Sequence, residues 1–211
     1  MKEIVIIGNG DVTVDYSQLI NSADFVVRIN ELRNYGGNSG TKVDALCVTN
    51  LSTPGRLCSK NKTLVNFSSI ETLKEIWFPR TSSYLPFQFW FNPLIYQSFS
   101  RADYRKHIIT RNKFHGKDII SFSTELYEAC CSELNIDCDS QILSPSTEYL
   151  AIKYVLQRFG SLQTRISLIG FSFDKPNCHL SKNEKNKVIE FQKQGLIYIL
   201  NFYYYDYSFV N

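Results

Sequence analysis

His179 and Glu184 bound the polar run His179-Leu180-Ser181-Lys182-Asn183-Glu184, with four residues between them. An unperturbed imidazole titrates near pH ~6.5, which suits it to take a proton from an attacking hydroxyl, and a neighbouring carboxylate can orient the ring. Asn9 lies between glycines in Gly8-Asn9-Gly10, and Asn30 closes the run Asp24-Phe25-Val26-Val27-Arg28-Ile29-Asn30. Asparagine offers a donor and an acceptor without charge, so this pair can hold a phosphate and a ribose or base edge. Ser144-Pro145-Ser146-Thr147 puts hydroxyls and a proline at the head of a helical segment, where free N–H groups bind phosphate. Asp137-Cys138-Asp139 supplies oxygen ligands of the kind that hold Mg²⁺ or Mn²⁺.

Each group also has a plain structural explanation. Asn9 is a favourable turn residue, Asn30 a strand terminator, the Ser/Thr hydroxyls are helix caps, and a glutamate near a helix start complements the dipole. Gly8-x-Gly10 opens the dinucleotide fingerprint, with Glu31 as a candidate acid, but Thr13 stands where a small residue belongs. That argues against NAD. The Asp137/Asp139 pair precedes a predicted strand start, which places it away from the ligand end of a parallel sheet and argues against a metal. His107 and His115 lie among basic residues and read as solvated.

These groups need strands and helices to bring them together. Ile4–Ile7, 23–29, 43–48, 62–67, 118–122, 141–143, 165–169 and 196–201 read as strands, the first short, apolar and β-branched as in a strand covered on both faces. Residues 124–134, 147–159 and 182–193 read as helices. Such alternation predicts an α/β fold, a doubly wound, mostly parallel Rossmann-like sheet with helices on both faces and a ligand beyond the strands' carboxyl ends. Residues 76–99 differ: aromatics crowd there between Pro79, Pro86 and Pro93, and Arg101, Arg105, Lys106, Arg111, Lys113 and Lys117 follow. Within a single domain spanning 1–211, residues 77–117 read as an aromatic and basic insertion or lid, suited to an anionic acceptor or a membrane surface.

Composition narrows the class. A chain of 211 residues with 44% hydrophobic content buries a sizeable core, and a net charge of only +3 demands no nucleic acid. Six cysteines without metal or disulfide spacing read as mostly reduced thiols. No long apolar segment precedes the first glycine, so the sequence predicts neither signal peptide nor membrane anchor and a cytoplasmic location.

The blocks Gly8-Asn9-Gly10, Asp24 to Asn30 and Gly40-Thr41-Lys42-Val43-Asp44 resemble, in order, the large sialyl motif of sialyltransferases. Ser144 to Thr147 with Ile166-Ser167-Leu168-Ile169-Gly170-Phe171 resembles the small motif, and His179 to Glu184 the very short one. The resemblance implies a GT-A-variant fold and inverting transfer of sialic acid, or a related keto-sugar acid such as Kdo, from a CMP-sugar to a glycan hydroxyl. It implies His179 and Glu184 as catalytic residues, and donor binding by Gly8, Asn9, Gly10, Asn30, Ser146, Thr147, Gly170 and Phe171. It further implies no metal and no cofactor. With no anchor predicted, the expected acceptor is a glycan or lipid-linked glycan of a bacterial surface, such as lipooligosaccharide, with peripheral contact at the inner membrane. One departure stands out: family members usually carry glycine after the Ser/Thr pair, and this chain has Glu148. Two alternatives remain open, a nucleotide- or carbohydrate-binding protein without turnover and a metal-dependent transferase of nucleotide-diphosphate sugars.

Overall fold

The computed structural model describes residues 1–51, 55, 58, 72–80, 103–138, 144–171 and 182–200. Its organising strand is β1, Lys2–Ile7. Successive side chains of a strand point to opposite faces, so Ile4 and Ile6 enter one core while Val5 and Ile7 enter another. Burial on both faces explains why the run is uninterrupted Ile and Val.

Six further strands extend this one: β2 (Phe25–Ile29), β3 (Ala45–Cys47), β4 (Glu75–Phe78), β5 (Asp118–Ser121), β6 (Thr164–Ile169) and β7 (Tyr198–Ile199). They form one sheet in the order β5-β4-β3-β2-β1-β6-β7, and every pairing is parallel. The chain steps outward from β1 to β5, then crosses back to the other side of β1. Parallel crossovers of constant hand therefore place helices of the two halves on opposite faces. Accordingly α1 (Ser17–Ser22) and α2 (Arg105–Arg111) pack on one face through Ile20 and Ile108. On the other, α3 (Thr124–Leu134), α4 (Thr147–Phe159) and α5 (Lys182–Lys193) pack with Ile4, Ile6, Val27 and Trp77.

The helix ends follow local chemistry. Ser123 and Ser146 cap α3 and α4, their hydroxyls accepting the N–H of Leu126 and Tyr149. Asn135 ends α3 in the left-handed conformation at φ 54°. Pro145, expected in the first turn, instead precedes the Ser146 cap. At the strands' amino ends, Arg158 of α4 grips the Glu75 carboxylate with both terminal nitrogens (2.5 and 2.8 Å), and the Trp77 indole N–H donates to it at 2.7 Å.

The stretch read as an insertion starts differently from expectation, because Trp77 and Phe78 belong to β4 and are fully buried on opposite faces. The helices α1 and α2 escaped the sequence reading, being under two turns each. Expected strands at 62–67 and 141–143 lie outside the described residues. Among the described residues, no helix is long and apolar enough to cross a membrane. Five cysteines, Cys47, Cys58, Cys130, Cys131 and Cys138, are free thiols.

Candidate functional site at the carboxyl edge of the sheet

Reversal of strand order at β1 and β6 makes the space beyond their carboxyl ends the switch-point crevice, where open α/β sheets receive ligands. The ladder continues past both strands: Gly8 N–H donates to Ile169 O at 2.9 Å and Gly10 N–H to Gly170 O at 2.7 Å. A Cβ on Gly8 would meet Gly170 O at 2.6 Å, and Gly170 sits at φ +69° with Gly10 O 3.0 Å from where its own Cβ would stand. Gly8 and Gly170 thus let two backbones close on each other, a packing reason for residues read as donor-binding. Phe171, read the same way, is buried in the core with α3, α4 and α5.

A buried arginine organises the neighbouring wall. Arg28 of β2 is 1% exposed, and its five N–H groups reach Lys42 O, Asn34 O, Ser39 Oγ, Ser39 O and Gly40 O. Burial pushes its guanidinium down to about 10, so it stays charged at neutral pH. The loop it gathers presents Asn34, whose Nδ2 donates to Gly8 O at 2.9 Å and Gly10 O at 2.5 Å. Asp44 accepts from Val26 N–H and from Lys74, which ties the rest of that block to β2 and to the chain entering β4.

Asn9 and Asn30 lie on this wall, both half-buried. Asn9 Oδ1 accepts the Arg33 N–H at 3.2 Å, and its Nδ2 is 3.4 Å from Glu31 Oε2. Asn30 ends β2 at φ 49°, a conformation asparagine tolerates, and its Oδ1 accepts the Thr49 N–H at 3.0 Å. Beyond β3, Asn50 is wholly buried; its Nδ2 donates to Arg80 O and Asp103 Oδ1, while its buried Oδ1 has no hydrogen-bond partner among the described residues. Arg105 reaches from Asp103 to Ser121 at the end of β5.

The start of α4 lies at the same carboxyl edge, beyond β3 and β4. Every residue from Thr147 to Ile152 is buried, so the helix enters the protein at its N-terminus. Arg80, at the end of β4, donates through Nη2 to Pro145 O, and the Ser146 N–H donates to Glu184 Oε1 at 2.6 Å. Glu184, expected beside a catalytic imidazole, is 2% exposed in the first turn of α5. Glu148 is also buried; burial, with its carboxylate nearby, holds the Cys47 thiol well above its usual value. Burial pushes the Tyr127 hydroxyl up to about 12 against the opposing Arg80 charge.

The structure therefore gathers Gly8, Asn9, Gly10, Asn30, Ser146, Thr147, Gly170 and Glu184 at one edge of the sheet. His179 lies outside the described residues, as does Asp139. Asp137 is exposed after α3. The expectation that it sits at the opposite end does not hold: Leu134 O accepts from Asn183 of α5, and Tyr149 of α4 donates to Glu133, so the end of α3 adjoins both helix starts. His107 and His115 are exposed. Arg28, Asn34, Asn50 and Arg80 were missed. Arg28 alone carried a signal, a charge inside an otherwise apolar strand, which burial permits only with partners.

No protein-family model matches the chain. It is 23% identical over 211 aligned residues to a urease operon 23 kDa accessory protein of Rhizobium meliloti, covering 92% of this chain and 90% of that one. A mammalian sialyltransferase in complex with Gal-beta-1-3GalNAc-ortho-nitrophenol superposes with a TM-score of 0.56 and 15% identity, over 94% of this chain and 69% of that one. A second mammalian sialyltransferase structure gives 0.55 and 15%, over 95% and 69%. At such identities the shared property is the fold, and the seven-stranded parallel α/β sheet of this chain is sialyltransferase-like.

Proposed function

We propose that the chain is an inverting glycosyltransferase of the sialyltransferase type, moving sialic acid or a related keto-sugar acid from a CMP-sugar to a glycan hydroxyl. One observation supports this reading: in a sialyltransferase-like fold, Asn9, Asn30 and the Ser146–Thr147 helix start all lie at the carboxyl edge of the sheet. Neutral amide groups and a helix N-terminus suit a monophosphate leaving group. The buried acceptor of Asn50 adds a polar group of the kind that recognises a ligand.

In this reading His179 takes the proton of the acceptor hydroxyl as its oxygen attacks the anomeric carbon. The bond from that carbon to the donor phosphate oxygen breaks, its electron pair leaves with CMP, and configuration inverts. Donors near Asn9, Asn30, Ser146 and Thr147 stabilise the charge that grows on the phosphate. No metal or cofactor enters the step, and a lipid-linked glycan at a membrane surface is the acceptor class we favour. A second reading, a nucleotide-binding protein without turnover, draws on the buried Glu148 at the helix start and on the accessory role in the relative's name.

Incubation with CMP-sialic acid, CMP-Kdo and UDP-sugars, with and without EDTA, separates the readings. CMP release that survives EDTA and vanishes in His179→Ala is expected. CMP binding without turnover on any acceptor favours the second reading, and binding of UDP-sugars alone defeats the CMP-sugar reading.

A further inference from the structure

Pro145 O and Ser146 N–H are the two ends of a single peptide unit, and each end is held by a charged side chain from a different element. Arg80, at the end of β4, donates to the carbonyl; Glu184, in α5, accepts from the N–H at 2.6 Å. Hydrogen bonds to ionised groups are the strong ones, and two on one amide polarise it cooperatively. The gripped peptide lies directly before Thr147, so its orientation sets the direction of the first turn of α4. Arg80 is itself fixed, since its carbonyl accepts from the buried Asn50. The chain of contacts runs from Asn50, beyond β3, through Arg80 and the Pro145–Ser146 peptide to Glu184 of α5.

We propose that Arg80 and Glu184 form a clamp on the Pro145–Ser146 peptide and act as positioning residues for the nucleotide, Arg80 being a residue that no sequence motif flagged. This deepens the proposed function and rests on it for the identity of the ligand. Glu184 acts through the helix start and not by contact with the reacting atoms. Because Glu184 sits in the first turn of α5, the clamp also ties the start of α4 to the start of α5.

The test titrates CMP calorimetrically into the wild type, Arg80→Lys, Arg80→Gln, Glu184→Gln and the double Gln variant, and follows amide hydrogen exchange by mass spectrometry on the same proteins. Each single Gln variant should weaken CMP binding about tenfold and the double little more, because one peptide transmits both effects, whereas independent losses would multiply to about a hundredfold. Arg80→Lys keeps one donor and should lose less than Arg80→Gln. Exchange at residues 146–149 should quicken while that of β1 stays unchanged. Multiplied losses in the double, or unchanged exchange at the start of α4, overturn the clamp. A wild type that does not bind CMP sinks the donor reading instead, and the exchange comparison still decides the clamp. Should Arg80→Gln not fold, Arg80→Lys replaces it in the cycle.

Discussion

Asn34 offers the sharpest perturbation of the crevice wall. Its Nδ2 lies between two carbonyls, Gly8 O at 2.9 Å and Gly10 O at 2.5 Å, so only the amide nitrogen can face them. Asn34→Ala removes both bonds; at ~0.5–1.5 kcal/mol each, and with water reaching a half-buried site, the loss should be about 1–2 kcal/mol. Asn34→Asp keeps the shape but turns a carboxylate oxygen towards two carbonyl oxygens. That should cost more than the alanine, about 2–4 kcal/mol at neutral pH, since the acceptors lose their donor and meet like charge. The sign with pH follows. The introduced carboxyl has no donor facing it, so its folded pKa is raised and protonation restores an O–H donor. The deficit of Asn34→Asp should therefore shrink as pH falls from 7 towards about 5, while that of Asn34→Ala stays flat. Urea denaturation of the three proteins across that range measures it, with melting shifts of about 2–4 °C per kcal/mol expected for a chain of this size. An alanine variant as damaged as the aspartate, or an aspartate deficit independent of pH, would refute the clamp of Asn34 on the Gly8–Gly10 turn.

Two further outcomes follow from the sheet's two ends. Gly170→Ala forces a Cβ into a residue at φ +69° and within 3.0 Å of Gly10 O, so it should destabilise by about 2–3 kcal/mol and abolish nucleotide binding; wild-type affinity in that variant would show that the β1–β6 seam does not shape the site. Burial resists ionisation of Glu75, but bonds from Arg158 and Trp77 win and hold its carboxyl below 4.5. Its contribution is thus complete above pH 4.5 and lost as pH falls through the lower folded value. Glu75→Gln should then lower stability at pH 7 and narrow its gap to wild type near pH 3, read from urea midpoints; a gap that widens on acidification contradicts the pairing.

The helices α3 and α4 were legible to the residue because their caps are written locally, Ser123, Ser146 and Asn135 each acting within four residues. The first strand was equally clear, since burial on both faces leaves an unbroken apolar run. Strand β4 was not: Trp77 and Phe78 blend into the aromatic stretch that follows, and only their opposite faces in the fold reveal a strand. Asn9, Asn30 and the helix start could be foreseen because sheet topology alone sends them to one edge. The contacts that hold them could not. Arg28, Asn34 and Arg80 bind backbone carbonyls, and Glu184 a backbone N–H 38 residues away, partners that every residue possesses and no spacing announces.

The central claim is that this crevice holds a CMP-sugar. A crystal structure with CMP, or with an inert fluorinated CMP-sialic acid, tests it most directly. The predicted result is a nucleotide beyond the carboxyl ends of β1 and β2, with polar atoms at about 3 Å from Asn9, Asn30 or the Ser146–Thr147 helix start. A nucleotide seated elsewhere on the protein, or none at millimolar concentration, would contradict it.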